Sequence, residues 1–413
     1  MFDKLIFHVD VNSAYLSWEA VYRLAHLGAA QDLRTIPSAV GGDAAMRRGI
    51  ILAKSIPAKK YRIQTGETIA EALVKCPDLV LVPPDFDLYE KASAALMNIL
   101  RDFTPVVEQY SIDEAFLDMT GTQGFWNDPE EAACSLKDRV YRELGFTVNV
   151  GISRNKVLAK MASDFKKPDM VHTLFPEEIA LKMWPLPVSD LFFVGRATTR
   201  KLSKLGIRTI GELAQTDLQI LRDHLKKHGE VIWAFANGID VSVVEPVQPP
   251  NKGYGNSTTI PFDVVDGRTA KMVLLALAET VSARLRNDGV KAEVVAVGIK
   301  NFELHYESHQ CILPEATDIT LEIYQAAARL FDELWDGVPI RHLGIHTGRI
   351  QEQDYIRQLQ LFDSIDFEKL EKLDAAVDRI RKRYGLDALK RAVFVQTPID
   401  HMEGGIGRKY KNN

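Results

Sequence analysis

Two β-prone stretches, far apart in the chain, constrain the fold more than any other feature. The apolar run Leu5-Ile6-Phe7-His8-Val9 ends at Asp10 and reads as a buried strand that delivers a carboxylate at its C-terminal end. The stretch from Val106 to Asp118 reads as a β-hairpin whose turn holds two adjacent acids, Asp113 and Glu114. As neighbours in one sheet these strands bring three carboxylates together, and like charges that close need cations to neutralise them. Hard oxygen ligands with no His or Cys companion suit Mg²⁺. Two such ions about 3.5–4 Å apart are the standard device for in-line displacement at phosphorus. Taken alone, an Asp at a strand end and an acidic turn are equally the marks of an ordinary sheet.

The chain has 413 residues, enough for two to four packed units. With 46% hydrophobic and 26% charged residues it has the composition of a soluble globular protein. Neither a signal-peptide core nor an apolar run long enough for a membrane span is expected. Cys76, Cys134 and Cys311 are odd in number and widely spaced, which points to a reducing cytoplasm and no structural zinc. The net charge of -5 suggests a metabolic enzyme rather than a nucleic-acid binder. Its distribution suggests otherwise: Lys137 to Arg208 holds fourteen basic residues against seven acidic ones.

Short strand-like and helical pieces from Thr35 to Pro84 form a small inserted subdomain, and Leu88 to Phe103 has helical periodicity. Phe146 to Ile152 reads as another strand, followed by a basic helix from Asn155 to about Phe165. Leu191 to Gly238 reads as all helix, and Glu245 to Asn251, with Pro246, Pro249 and Pro250, as an extended linker. Tyr254 to about Gln351 alternates strands with the helices Ala270 to Leu285 and Ile319 to Leu334. The tail from Phe367 carries a helical leucine pattern that reads as a solvated amphipathic helix. His8, His172 and His228 lack metal-ligand spacing and read as satisfied or exposed side chains.

Three blocks carry a family resemblance. Phe7-His8-Val9-Asp10-Val11-Asn12-Ser13-Ala14-Tyr15 resembles the first metal-binding strand of the Y-family DNA polymerases, and Tyr110-Ser111-Ile112-Asp113-Glu114-Ala115-Phe116-Leu117-Asp118 resembles their signature hairpin. Val150 through Pro168 resembles their palm helix. The resemblance covers roughly residues 1 to 355, and the Asp10-Val11-Asn12 form is closest to the UmuC-like branch. It implies that Asp10, Asp113 and Glu114 are catalytic, holding two Mg²⁺ ions with the Val11 carbonyl. Tyr15 falls at the position where an aromatic ring excludes a ribose 2′-hydroxyl, and Lys59 and Lys167 fall at triphosphate-binding positions. The family often carries Tyr where Ile56 stands and Arg where Lys59 stands.

Leu191 through Leu213 resembles a helix-hairpin-helix, in which Gly195, Arg196, Arg200 and Lys201 would meet DNA phosphates. Gly253-Tyr254-Gly255-Asn256-Ser257 resembles the opening strand of the family's little finger, with Gly253, Gly255 and Ser257 close to DNA. Gln358-Leu359-Gln360-Leu361-Phe362 resembles a sliding-clamp peptide, anchored by Leu361 and Phe362 with Gln358 and Leu359 beside them.

The expected architecture is a multi-domain α+β protein. It has a ferredoxin-like palm (1–18 and 85–174), small fingers (19–84) and an all-helical helix-hairpin-helix thumb (175–244). A linker (245–252), an α+β little-finger domain (253–356) and a tail carrying the clamp peptide (357–413) follow. The expected activity is low-fidelity, lesion-bypass DNA synthesis by a cytoplasmic monomer acting on primer-template DNA and dNTP. Two alternatives remain: a catalytically silent, clamp-bound accessory protein on the same scaffold, and a two-metal nucleotide cyclase-like enzyme.

Overall fold

The computed structural model describes residues 4–42, 49–247, 249–352, 366–395, 397 and 399. The chain divides into two compact units, Met1–Gly41 with Ile51–Gln248, and Gly42–Ile50 with Pro249–Asn413. Along the first unit run β1 (Ile6–Val11), α1 (Ala14–His26), β2 (Ser38–Gly41), β3 (Ile51–Lys54), α2 (Ile56–Lys59), α3 (Ile69–Lys75), β4 (Val80–Val82) and α4 (Phe86–Phe103). Then come β5 (Val107–Gln109), β6 (Glu114–Asp118), α5 (Pro129–Leu144), β7 (Val148–Ser153), α6 (Lys156–Asp164) and β8 (Val171–Thr173). The helices α7 (Ile179–Lys182), α8 (Arg196–Lys204), α9 (Ile210–Gln215), α10 (Leu218–Leu225) and α11 (Lys227–Ala236) complete it.

Among the described residues, the main sheet has the order β5-β6-β1-β7-β8. The apolar, β-branched β1 is buried along nearly its whole length and takes the centre, antiparallel to both β6 and β7. Its alternation sends Phe7, Val9 and Val11 into a core shared with Leu96 and Leu100 of α4 and Leu136 and Val140 of α5. Ile6 turns to the opposite face, where it meets Phe116 of β6 and Ala159 of α6. Gly151, paired with His8, lets α6 seat on that face. A Cβ there would stand 2.0 Å from the Ala159 carbonyl oxygen and 2.4 Å from the Ser163 nitrogen. Asn155 starts α6 by accepting the Leu158 N–H at 2.9 Å.

The expected fingers contain a small sheet, β3-β2-β4, over its own core of Ile51, Ile63, Ile69 and Leu79. The boundary expected at residue 18 falls inside α1, and Leu16, Trp18 and Ala20 of that helix pack into the palm core. The helical region α7–α11 shares one core with Val157, Leu158 and Met161 of α6, so thumb and palm are continuous through that helix. Val244 inserts beside Ile6 and Phe116, and the Glu245 N–H bonds Glu108 at 2.9 Å. The segment expected to be linker is therefore fastened to the palm at its start.

In the second unit, β9 (Gly253–Val264), α12 (Gly267–Asn287), β10 (Val290–Asn301), β11 (Tyr306–Thr317), α13 (Thr320–Leu334) and β12 (Ile340–Glu352) form an antiparallel sheet of order β11-β10-β12-β9, with the two helices packed against it. The tail departs from expectation. Its helix α14 (Phe367–Tyr384) docks through ion pairs from Asp374 and Asp378 to Arg286 and from Arg381 to Glu279, and Phe394 and Ile399 join the same core as α12. A periodicity that reads as solvated belongs to a packed helix because its polar face meets buried charges. The clamp-type residues Gln358, Leu359, Leu361 and Phe362 lie outside the described residues. Among the described residues, no helix is long and apolar enough to cross a membrane.

Candidate active site

The register of β1 against β6 sets Asp10 directly opposite Glu114. Asp113 occupies the preceding turn, tied to the end of β1 by a bond from the Val11 N–H to its carbonyl at 3.0 Å. The Ser111 hydroxyl donates to its carboxylate at 2.6 Å. The expected trio is thus assembled by one hairpin and one strand. Among the described residues it is not drawn into a tight ligand cluster, and two lysines reach into it. Lys160 Nζ lies 2.5 Å from Glu114, 3.4 Å from Asp10 and 3.5 Å from Asp164, and Lys167 Nζ lies 3.0 Å from Asp10 and 2.8 Å from Asp164.

The electrostatics follow from this wiring. Burial raises the Asp113 carboxyl, and the neighbouring Asp10 and Glu114 charges add to the rise against the Ser111 hydrogen bond. Burial would raise Glu114 too, but His8 and Lys160 bring it down to about 2. Burial works to lower both Lys160 and Lys167, yet Asp10 and Asp164 hold both above the usual lysine value. His8, fully buried, places Nδ1 2.8 Å from the Ser163 hydroxyl and Nε2 3.0 Å from Glu114, the latter contact without hydrogen-bond alignment. Burial pushes its imidazole below the usual value, against the pull of Glu114. An oxygen-only donor set that includes a carboxylate disfavoured as an anion fits divalent cations.

A cavity of about 680 Å³ opens on this corner, and Asp10, Val11, Tyr15, Lys59, Asp113 and Lys167 all line it. Glu114 stands just behind Asp10. Tyr15, in the first turn of α1, stacks on Tyr89 with ring centroids 4.5 Å apart and planes 9° from parallel. The Tyr89 hydroxyl donates to the buried Glu19 at 2.9 Å, so the ring under the cavity is braced from below. Ile56 also lines the cavity and offers no polar group.

The remaining expected residues lie elsewhere. Gly195 caps α8, with Arg196, Arg200 and Lys201 exposed along that helix. Gly206, at φ 84, turns the chain toward α9, which completes the hairpin of helices. Gly253, Gly255 and Ser257 sit in the second unit on β9 and pair with Gly348, His346 and Gly344 of β12. A Cβ on Gly255 would come within 2.8 Å of the His346 ring, so glycine there makes room for that imidazole.

Sequence reasoning missed His8 and Lys160. The signal for Lys160 was present: it falls on the apolar face of α6, among Val157, Met161 and Ala162, and a lysine there requires an acidic partner.

Residues 9–164 match the impB/mucB/samB family, residues 251–361 its C-terminal domain, and residues 189–240 the DNA polymerase-iota thumb domain. The chain is 44% identical to the DNA polymerase IV of Clostridium acetobutylicum, over 95% of this chain and 98% of that protein. It is 39% identical to the DNA polymerase IV of Acetivibrio thermocellus, again over 95% and 98%. It is 37% identical to DNA polymerase IV 2 of Bacillus subtilis over the full length of both. None of these three carries a UmuC name, the branch to which Asp10-Val11-Asn12 pointed. The solved Y-family DNA polymerase chimera Dbh-Dpo4(243-245)-Dbh shares the fold at a TM-score of 0.72 and 22% identity, covering 84% of this chain and 99% of that one. With relatives this similar along almost its entire length, the chain belongs to the impB/mucB/samB family of Y-family DNA polymerases.

Proposed function

We propose that this DNA-directed DNA polymerase of the lesion-bypass type works through the corner where β1 meets the β6 hairpin. The observation that carries this is that Asp10, Asp113, Tyr15, Lys59 and Lys167 line one cavity, with Glu114 paired to Asp10 behind it. Asp10, Asp113, Glu114 and the Val11 carbonyl would hold two Mg²⁺ ions, which supply charge stabilisation at the attacked phosphate and activation of the primer 3′-hydroxyl. Lys160 keeps Glu114 ionised and positioned. Tyr15, held flat by Tyr89, lies where a ribose 2′-hydroxyl would clash. Lys59 and Lys167 bind the triphosphate, a task suited to a compact ammonium.

The N-terminus of α8, with Arg196, Arg200 and Lys201, grips DNA phosphates without regard to sequence. Gly253, Gly255 and Ser257 admit a DNA strand close to β9. Gln358, Leu359, Leu361 and Phe362 dock on a sliding clamp, a reading that rests on sequence alone. The protein acts as a monomer in the cytoplasm, in keeping with the free thiols of Cys76, Cys134 and Cys311.

Primer extension with Mg²⁺ tests the reading. The wild type extends and Asp113→Ala does not. Extension that survives loss of Asp113 overturns the mechanism, and a wild type that binds DNA without extending it supports the accessory-protein alternative instead.

A further inference from the structure

The cavity wall built by the fingers carries one more cation, Lys54, which no sequence pattern singled out. It is the last residue of β3, a strand whose Ile51 and Ala53 are buried while Leu52 and Lys54 are half-buried, and Leu52, Ala53 and Lys54 all line the cavity. Its Nζ donates to the Thr65 hydroxyl at 3.2 Å, and Thr65 lines the same cavity. The other cations near this wall are differently placed. Arg34 is occupied by Asp32 and the Gly145 carbonyl, and Lys167 is shared between Asp10 and Asp164. Lys59 is exposed.

Among the described residues no carboxylate stands within ion-pair distance of Lys54 Nζ, and the nearby Glu67 is itself bonded to Lys75. Burial, with the like charge of Lys59 added, pushes the Lys54 ammonium below the usual lysine value against the pull of Glu67. A partly desolvated ammonium beside a hydroxyl on a cavity wall, with no carboxylate in ion-pair contact among the described residues, gains most when a polyanion arrives. Ile56 on the same wall offers no polar side-chain group, and Ser55 is already bonded to the Ile36 carbonyl.

We propose that Lys54, with the Thr65 hydroxyl beside it, is a phosphate-binding residue for the incoming nucleoside triphosphate. The proposal rests on the polymerase reading above and adds a residue to its substrate site. A charge-assisted hydrogen bond to phosphate predicts a rise of about tenfold in the dNTP concentration needed for half-maximal single-turnover extension by Lys54→Gln. Inhibition by pyrophosphate weakens in parallel, while primer-template affinity and melting temperature stay at wild-type values. Lys54→Arg recovers most of the dNTP affinity, and Thr65→Val loses less than Lys54→Gln. A Lys54→Gln protein with wild-type dNTP dependence overturns the proposal, as does a loss carried by primer-template affinity instead. A wild type that fails to extend at all overturns the polymerase reading and this one together, whereas wild-type extension with an indifferent Lys54→Gln overturns this one alone.

Discussion

The ion pairs around Arg286 and the carboxylates around Asp113 lie at similar depth, yet they are wired differently. Arg286 and Asp374 expose 14% and 9% of their side chains, Asp10 and Glu114 14% and 18%. In the second unit, the charges of this cluster are paired with one another. Arg286 bonds Asp378 through two nitrogens at 2.6 and 3.1 Å, and also Asp374 and the Asp318 carbonyl. Glu279 receives Arg391 at 2.6 Å and Arg381 at 3.2 Å. In the palm, three acids from β1 and the β6 hairpin crowd one corner, and Asp113 has a hydroxyl rather than a cation for a partner. The first arrangement fixes α14 to α12. The second leaves Asp113 without a counter-charge, the kind of arrangement in which a site gives up stability for function.

Breaking the satisfied cluster has the largest effect on folding. Arg286→Met leaves the buried Asp374 and the half-buried Asp378 without this counter-ion and costs about 3 kcal/mol, read as a lowered denaturant midpoint and as protease cleavage in α14. If stability is unchanged, the cluster is not what holds the tail helix. Next comes the brace under the cavity. Tyr15→Ala lowers discrimination against ribonucleotides on the order of 10²-fold, measured as the ratio of dNTP to rNTP incorporation efficiency. Unchanged discrimination places the sugar check elsewhere. Smallest is the exposed charge of the thumb, where Arg196→Ala flattens the slope of log DNA affinity against log salt by about 1. A slope equal to that of wild type removes α8 from the DNA grip.

Local pattern made much of this visible in sequence. An apolar run closed by Asp10 and a hairpin turn holding Asp113-Glu114 need only strand alternation and one pairing to meet. The α6 helix was legible for the same reason, since Asn155 and the apolar spacing after it mark its start. What was not legible depends on partners distant in sequence. His8 looks like any core histidine until Ser163 and Glu114 fold against it. Asp374, Asp378 and Arg381 repeat at helical spacing and resemble a solvated face, because Arg286 and Glu279 that answer them belong to another helix. Lys54 was hidden more simply: a lysine at the end of a short strand carries no signal until the strand's faces are assigned. Net charge misled for a related reason, since the sum of -5 conceals an acidic corner and a basic stretch whose Lys160 and Lys167 fold into it.

If the charge gathered at Asp113 serves chemistry and not folding, Asp113→Asn separates the two. Primer extension in Mg²⁺ by this protein, with its metal-free melting temperature as the control on folding, is predicted to fall on the order of 10³-fold while melting is no lower than wild type. Extension near the wild-type rate, or a loss of activity accompanied by a collapse in melting temperature, would contradict it.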